Sequence, residues 1–119
     1  MDDQHFDKLA DKTLTTLLAK LDEEDGVEAE LTLGVMKVGF DAGGPQFVVN
    51  SHRAARQIWL AADLHAWHFD PVEEPEGRLR WVSSKEPREE LLVVLARNLS
   101  NRLSRTVTLL RDLKKRANA

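Results

Sequence analysis

From Asp3 to Glu24 the apolar residues return every three or four positions: Phe6, Leu9, Ala10, Leu14, Leu17, Leu18 and Leu21. That spacing predicts a helix with one apolar face, with Gly26 as its stop signal. The period then changes to two. Val27, Ala29, Leu31 and Leu33 alternate with Glu28, Glu30 and Thr32, the pattern of a half-buried strand with its carboxylates outward. After Gly34 a second strand puts Met36, Val38 and Phe40 on one face. Asp41-Ala42-Gly43-Gly44 reads as a hairpin turn, because glycine accepts positive φ. Further strands are expected at Gln46–Asn50, Arg56–Ala61, Ala66–Asp70 and Arg78–Val82. A last helix is expected to start near Pro87, a favoured first helical residue. It carries the stripe Leu91, Leu92, Leu95, Leu99 and Leu103. The β-branched run Thr106-Val107-Thr108 marks the expected break before the basic tail.

Helix, antiparallel strands, helix is the order of a two-layer α+β sandwich, with both terminal helices on one face of the sheet. A single domain is expected over residues 1–109, followed by a basic tail over residues 110–119. Strand parity then assigns faces. In Gln57-Ile58-Trp59-Leu60, Ile58 and Leu60 share one side, and Gln57, Trp59 and Ala61 the other. If the helices cover Ile58 and Leu60, Trp59 lies on the uncovered side, where a large aromatic is costly unless something binds it. The other readings make Trp59 core, or cover it with a loop. Trp67 and Phe69 read as core and His68 and Asp70 as their opposites. His65 and His68 fall on different faces and make a poor chelating pair.

Composition narrows the function. The 119 residues include no cysteine, which removes disulfides, zinc–thiolate sites, cysteine nucleophiles and thiolate-held clusters. The longest apolar run, Leu91 to Ala96, is too short to span a bilayer, and the acidic N-terminus does not resemble a signal peptide. A soluble cytoplasmic domain without membrane contact is expected. The net charge of −3 hides strong polarity. Residues 1–30 carry ten carboxylates against three lysines, and residues 97–119 carry seven basic groups against one acidic. No aromatic interleaves Arg97 to Arg116, so the basic end does not read as a nucleic-acid site.

The acidic end carries the candidate chemistry. Asp3, Asp7 and Asp11 line one side of the first helix. Asp22, Glu23, Glu24 and Asp25 cluster at its end, where they oppose the helix dipole. Glu28 and Glu30 follow on the first strand. Should that strand lie at the sheet edge beside the helix, these groups form one ridge of hard oxygen ligands, suited to Mg, Ca, Mn and iron. No di-iron Glu-x-x-His pair and no calcium loop occur, so capture of cations should be weak, multiple and salt-sensitive. A merely solubilising acidic face is the competing reading. P-loop, dinucleotide, nucleophile-elbow and zincin signatures are missing, and no enzyme is expected.

The stretch Val48-Val49-Asn50-Ser51-His52-Arg53-Ala54-Ala55-Arg56-Gln57-Ile58-Trp59-Leu60-Ala61 resembles the frataxin signature of an Asn, a short loop and Gln-Ile-Trp-Leu. His68-Phe69-Asp70, Phe6-Asp7-Lys8-Leu9-Ala10-Asp11 and Gly34-Val35-Met36 are similar to other family segments in the same order. The chain is identified as similar to bacterial, CyaY-type members of that family. The resemblance implies a five- to seven-stranded sheet and weak binding of ferrous or ferric iron, for which other hard divalent cations compete. It also implies a role in iron–sulfur cluster assembly, as iron donor or regulator of the cysteine desulfurase. Carried onto this chain, the metal ridge is Asp3, Asp7, Asp11, Asp22, Glu23, Asp25, Glu28 and Glu30. Asn50, Gln57 and Trp59 are the implied contacts with the desulfurase and the scaffold protein. A monomer is expected, with iron-dependent oligomers as a further state. Bacterial members often continue the ridge with carboxylates where this chain has Leu18 and Ala19. A small acidic secretion chaperone is the rival interaction module, and a ferroxidase the rival enzyme.

Overall fold

The computed structural model describes residues 1–109; the expected basic tail lies outside the described residues. The chain order is α1 (Asp3–Leu21), β1 (Val27–Thr32), β2 (Val35–Phe40), β3 (Phe47–His52), a 3-10 turn (Arg53–Ala55), β4 (Gln57–Ala62), β5 (His65–Glu73), β6 (Leu79–Ser83) and α2 (Leu91–Leu103). The six strands form one antiparallel meander in sequence order, with β1 and β6 at its edges. The alternating residues of each strand bury one face of the sheet under both helices. Phe6, Leu14 and Leu17 of α1 meet Met36, Val49, Ile58, Leu60 and Phe69 from the strands and Val94, Leu95 and Leu99 from α2 in one contiguous core. The expected two-layer sandwich is what the chain adopts.

α1 begins at an Asp2 cap whose carboxylate accepts from the His5 amide at 2.8 Å. It ends at Leu21, short of Glu24. The amides of Glu23 and Glu24 bond back to the Lys20 and Leu21 carbonyls in tight turns. A run of four carboxylates at a helix C-terminus faces the negative end of the dipole, and the helix stops before it. α2 also departs from expectation at both ends. Pro87 lies in the loop before the helix, where the Ser83 amide bonds the Glu89 carbonyl and Glu90 bridges Val82. Glu90 is the cap. The helix ends at Leu103, where Ser104 turns left-handed at φ 54°, ahead of the β-branched run. Val107 and Leu109 then return to the core, and the buried Lys20 ammonium donates to the Leu109 carbonyl at 3.3 Å.

Trp81 ties α1 to the far edge of the sheet. Its ring meets Phe6 edge-on at 6.0 Å, and its Nε1 donates to the Thr13 hydroxyl at 2.8 Å. Trp67, expected in the core, is half-buried and packs against its margin.

Two hairpins are closed by two-residue turns with positive φ at both positions, Leu33-Gly34 and Asp63-Leu64. Gly34 is required there: a Cβ would stand 2.6 Å from the Ser51 hydroxyl. Leu64 is different, being fully solvent-exposed at φ 69°. A left-handed conformation costs an L-residue about 1–2 kcal/mol, while glycine loses about 0.5–1 kcal/mol through unfolded-state entropy. Leu64→Gly should therefore raise stability by about 0.5–1 kcal/mol. A higher urea midpoint with an unchanged slope would show it, and a lower midpoint would mean that Leu64 packs on something.

Candidate functional site

The sheet face opposite the helices carries the first half of the site. Ile58 and Leu60 are buried beneath the helices, so Trp59 stands on the uncovered side. Asn50 lies directly opposite it on β3 and His68 opposite it on β5. His52, one diagonal step away, stacks on one face of the indole with centroids 4.0 Å apart and planes at 16°. His68 stacks on the other face at 4.2 Å and 11°. The indole is thus sandwiched between two imidazoles and turns its edge outward. Its Nε1 donates to Gln57 Oε1 at 2.9 Å, and Gln57 Nε2 donates to Asp70 Oδ1 at 2.9 Å. The Asn50 side-chain amide donates to the Ser51 carbonyl at 3.3 Å. Asn50, Gln57 and Trp59, singled out in the sequence, therefore share one surface. His52 and His68 are additions to it. Parity placed His68 there, but nothing local pointed to His52, because its diagonal neighbour is fixed only by strand register.

The acidic residues are less gathered than the ridge implied. β1 is an edge strand and α1 packs beside it, which meets the condition for a ridge. Glu28 and Glu30, however, pair in register with Gly39 and Lys37 and project on the same uncovered side as Trp59, away from α1. Asp3 and Asp22 sit at opposite ends of α1, about 28 Å apart at 1.5 Å per residue. Asp7 accepts two hydrogen bonds from the Arg53 guanidinium, at 3.2 and 2.5 Å. Those bonds, with the Asp7 charge, hold Arg53 above its ordinary pKa range. Asp3 lies 2.5 Å from Arg56. At the other end Arg105 takes Glu24 Oε2 at 3.1 Å and the Asp25 carbonyl at 2.8 Å. Asp11, Asp22, Asp25, Glu28 and Glu30 make no side-chain ion pair among the described residues. Also among them, no three His, Asp or Glu side chains are close enough to share one ion. The eight residues form a strung-out negative border, not a coordination sphere.

The described basic residues of α2 and the turn after it, Arg97, Arg102 and Arg105, are engaged in structural pairs. Arg102 ion-pairs with Asp63, donates to the Pro45 carbonyl at 2.7 Å and lies over the rings of Phe40 and Phe47 at 4.6 and 5.0 Å. Arg97 chelates Glu89 and, by hydrogen bonding, lowers its pKa. The groove between α1, β6 and the start of α2 is lined mainly by Leu9, Leu17, Leu79, Leu92 and Trp81. It lies on the helix side, away from both Trp59 and Glu28. No described helix is long and apolar enough to cross a membrane.

Comparison with known proteins gives consistent results. The model of the frataxin-like domain matches residues 1–105. The iron–sulfur cluster assembly protein CyaY of Pseudomonas fluorescens is 38% identical over 85 residues, which span 71% of this chain and 74% of that protein. Among solved structures, the frataxin from Psychromonas ingrahamii superposes with a TM-score of 0.77 over 92% of this chain and 98% of the other, at 22% identity. That structure shares the fold of two helices on an antiparallel sheet, and the family match runs through α1, all six strands and α2: the chain belongs to the frataxin-like family.

Proposed function

We propose that this protein is an iron-binding, non-enzymatic adaptor of iron–sulfur cluster assembly in the bacterial cytoplasm. It acts as iron donor or as regulator of a cysteine desulfurase and its scaffold protein. The observation that carries the reading is one sheet face holding two features: Trp59 on β4, and Glu28 and Glu30 three strands away on the edge strand β1, without ion-pair partners among the described residues. A half-buried aromatic on an open sheet face supplies the kind of anchor that dominates interface energetics. Carboxylates at its rim steer a basic partner and weaken with salt. The name of the Pseudomonas relative supports the assembly role. Iron is cargo here. A border of separated carboxylates suits weak, exchangeable capture of hard cations, with other divalent ions competing.

The test is retention on an immobilised desulfurase–scaffold pair. Wild-type protein should be held at low salt and released as salt rises. Glu28→Lys/Glu30→Lys should cut retention about tenfold or more through like-charge juxtaposition. Retention unchanged by that reversal overturns the reading.

A further inference from the structure

The turn between β4 and β5 keeps a residue that its own backbone penalises. Asp63 and Leu64 both have positive φ, 45° and 69°, and a bulky side chain at such a position is an outlier. Exposure alone says little of a leucine, but at Leu64 it is joined to strain that glycine would remove. Fully exposed, the side chain returns no burial to the fold, and costs of this kind persist where a function uses them. Leu64 borders an open depression of about 650 Å³, whose other walls include Pro45, Gln46, Ala61 and Ala66. One residue holds both sides of it. Arg102 ion-pairs with Asp63 on the turn and donates to the Pro45 carbonyl at 2.7 Å on the loop before β3. His65 Nδ1 also donates to the Asp63 carbonyl, at 3.0 Å. The turn carboxylate is thus neutralised internally, and the shape is set before anything binds. From here the uncovered face runs to the indole without a charged side chain. Ala61 pairs with Ala66 and with Val48, and the next pair along that face is Trp59 with His68.

We infer that Leu64 is a second, apolar anchor of the Trp59 surface, seated in an uncharged apolar recess of the same protein that covers the indole. The inference rests on the adaptor reading above and adds a specificity-determining residue to it. Five residues separate Trp59 from Leu64, about 17 Å of chain at most, which fits within one interface of about 800 Å² per partner. The two ends of the face then require different chemistry from a partner. Opposite Glu28 and Glu30 it must be basic; opposite Leu64 it must be apolar, because the Asp63 charge is already taken by Arg102. A wrong partner with a charge at that recess would be rejected by desolvation.

Retention on the immobilised desulfurase–scaffold pair, with urea unfolding beside it, tests this. Leu64→Gly should raise the urea midpoint and yet weaken retention about tenfold, the worth of one buried leucine side chain. Leu64→Asn, which also tolerates a left-handed turn, should lose retention in the same way. Leu64→Met, apolar and of similar volume, should keep most of it. The factor lost by Leu64→Gly should be the same at low and at raised salt, unlike that lost by the Glu28/Glu30 reversal. Leu64→Gly retained like wild type, while Trp59→Ala is released, overturns the inference and leaves the adaptor reading standing. A loss in Leu64→Met as large as in Leu64→Gly, or a loss that fades as salt rises, also overturns it, since an apolar recess gives neither. Wild type that is not retained, or that is retained no better than Leu64→Gly and Trp59→Ala alike, sinks both.

Discussion

Trp59→Ala should leave the protein folded and remove most of its affinity for the assembly partners. The indole lies on the outer face of the sheet, so truncation opens no cavity in the core. What is lost internally is the contact with two imidazoles and one hydrogen bond to Gln57. Cross-strand pairs of this kind contribute roughly 0.2–1 kcal/mol each and a hydrogen bond about 0.5–1.5 kcal/mol, so stability should fall by about 1–3 kcal/mol. An aromatic anchor at an interface centre commonly costs about 2–4 kcal/mol on truncation, which is a loss of roughly thirty- to a thousandfold in affinity. The two readouts are a urea midpoint and retention on the desulfurase–scaffold pair. A variant that stays bound while losing stability would show that the stack serves the sheet and not a partner. His52→Ala should fall between, since it frees one indole face while leaving the Gln57–Asp70 relay intact.

Phe6→Ala should have the opposite profile, with a large loss of stability and no surface change. Phe6 is fully buried on the inner face of α1 and meets the edge of Trp81, which in turn donates to Thr13 on the next turns of the same helix. Removing the ring deletes its transfer energy and leaves a hole that α1, Trp81 and the sheet cannot all close around. Such truncations cost about 3–5 kcal/mol, a large share of the roughly 5–15 kcal/mol available to a domain of this size. Urea unfolding followed by far-ultraviolet circular dichroism measures it. A loss below about 1 kcal/mol would mean that the first turns of α1 are loosely docked. Retention on the partners at low temperature should persist, because Trp59, Glu28 and Glu30 lie on the other side of the sheet.

Strand parity was the most informative local signal. The alternation through Ile58, Trp59 and Leu60 admits two assignments, and only the location of both helices decides between them. The helical stripes located α1 and α2 as elements, yet three of their four ends moved. The C-terminal end of α1 gave way before Asp22, Pro87 belongs to a loop that returns to β6, and Ser104 ends α2 by a left-handed turn that no glycine announced. The acidic ridge shows the same division. Counting carboxylates locates the negative end of the chain, but it cannot see Arg53, Arg56 and Arg105 arriving from 46, 53 and 81 residues away.

By itself, the order and period of the residues determined the two-layer sandwich and the shared face of Gln57 and Trp59. These depend on neighbours two to four positions apart, and local geometry converts such spacing directly into a shared face. Tertiary structure alone decided which carboxylates are held by arginine, that Glu28 and Glu30 turn to the side of Trp59 and away from α1, and that His52 and His68 enclose the indole. Charge pairing and ring stacking act between groups brought together by register and packing. Their partners are distant in the chain, and no local period encodes them.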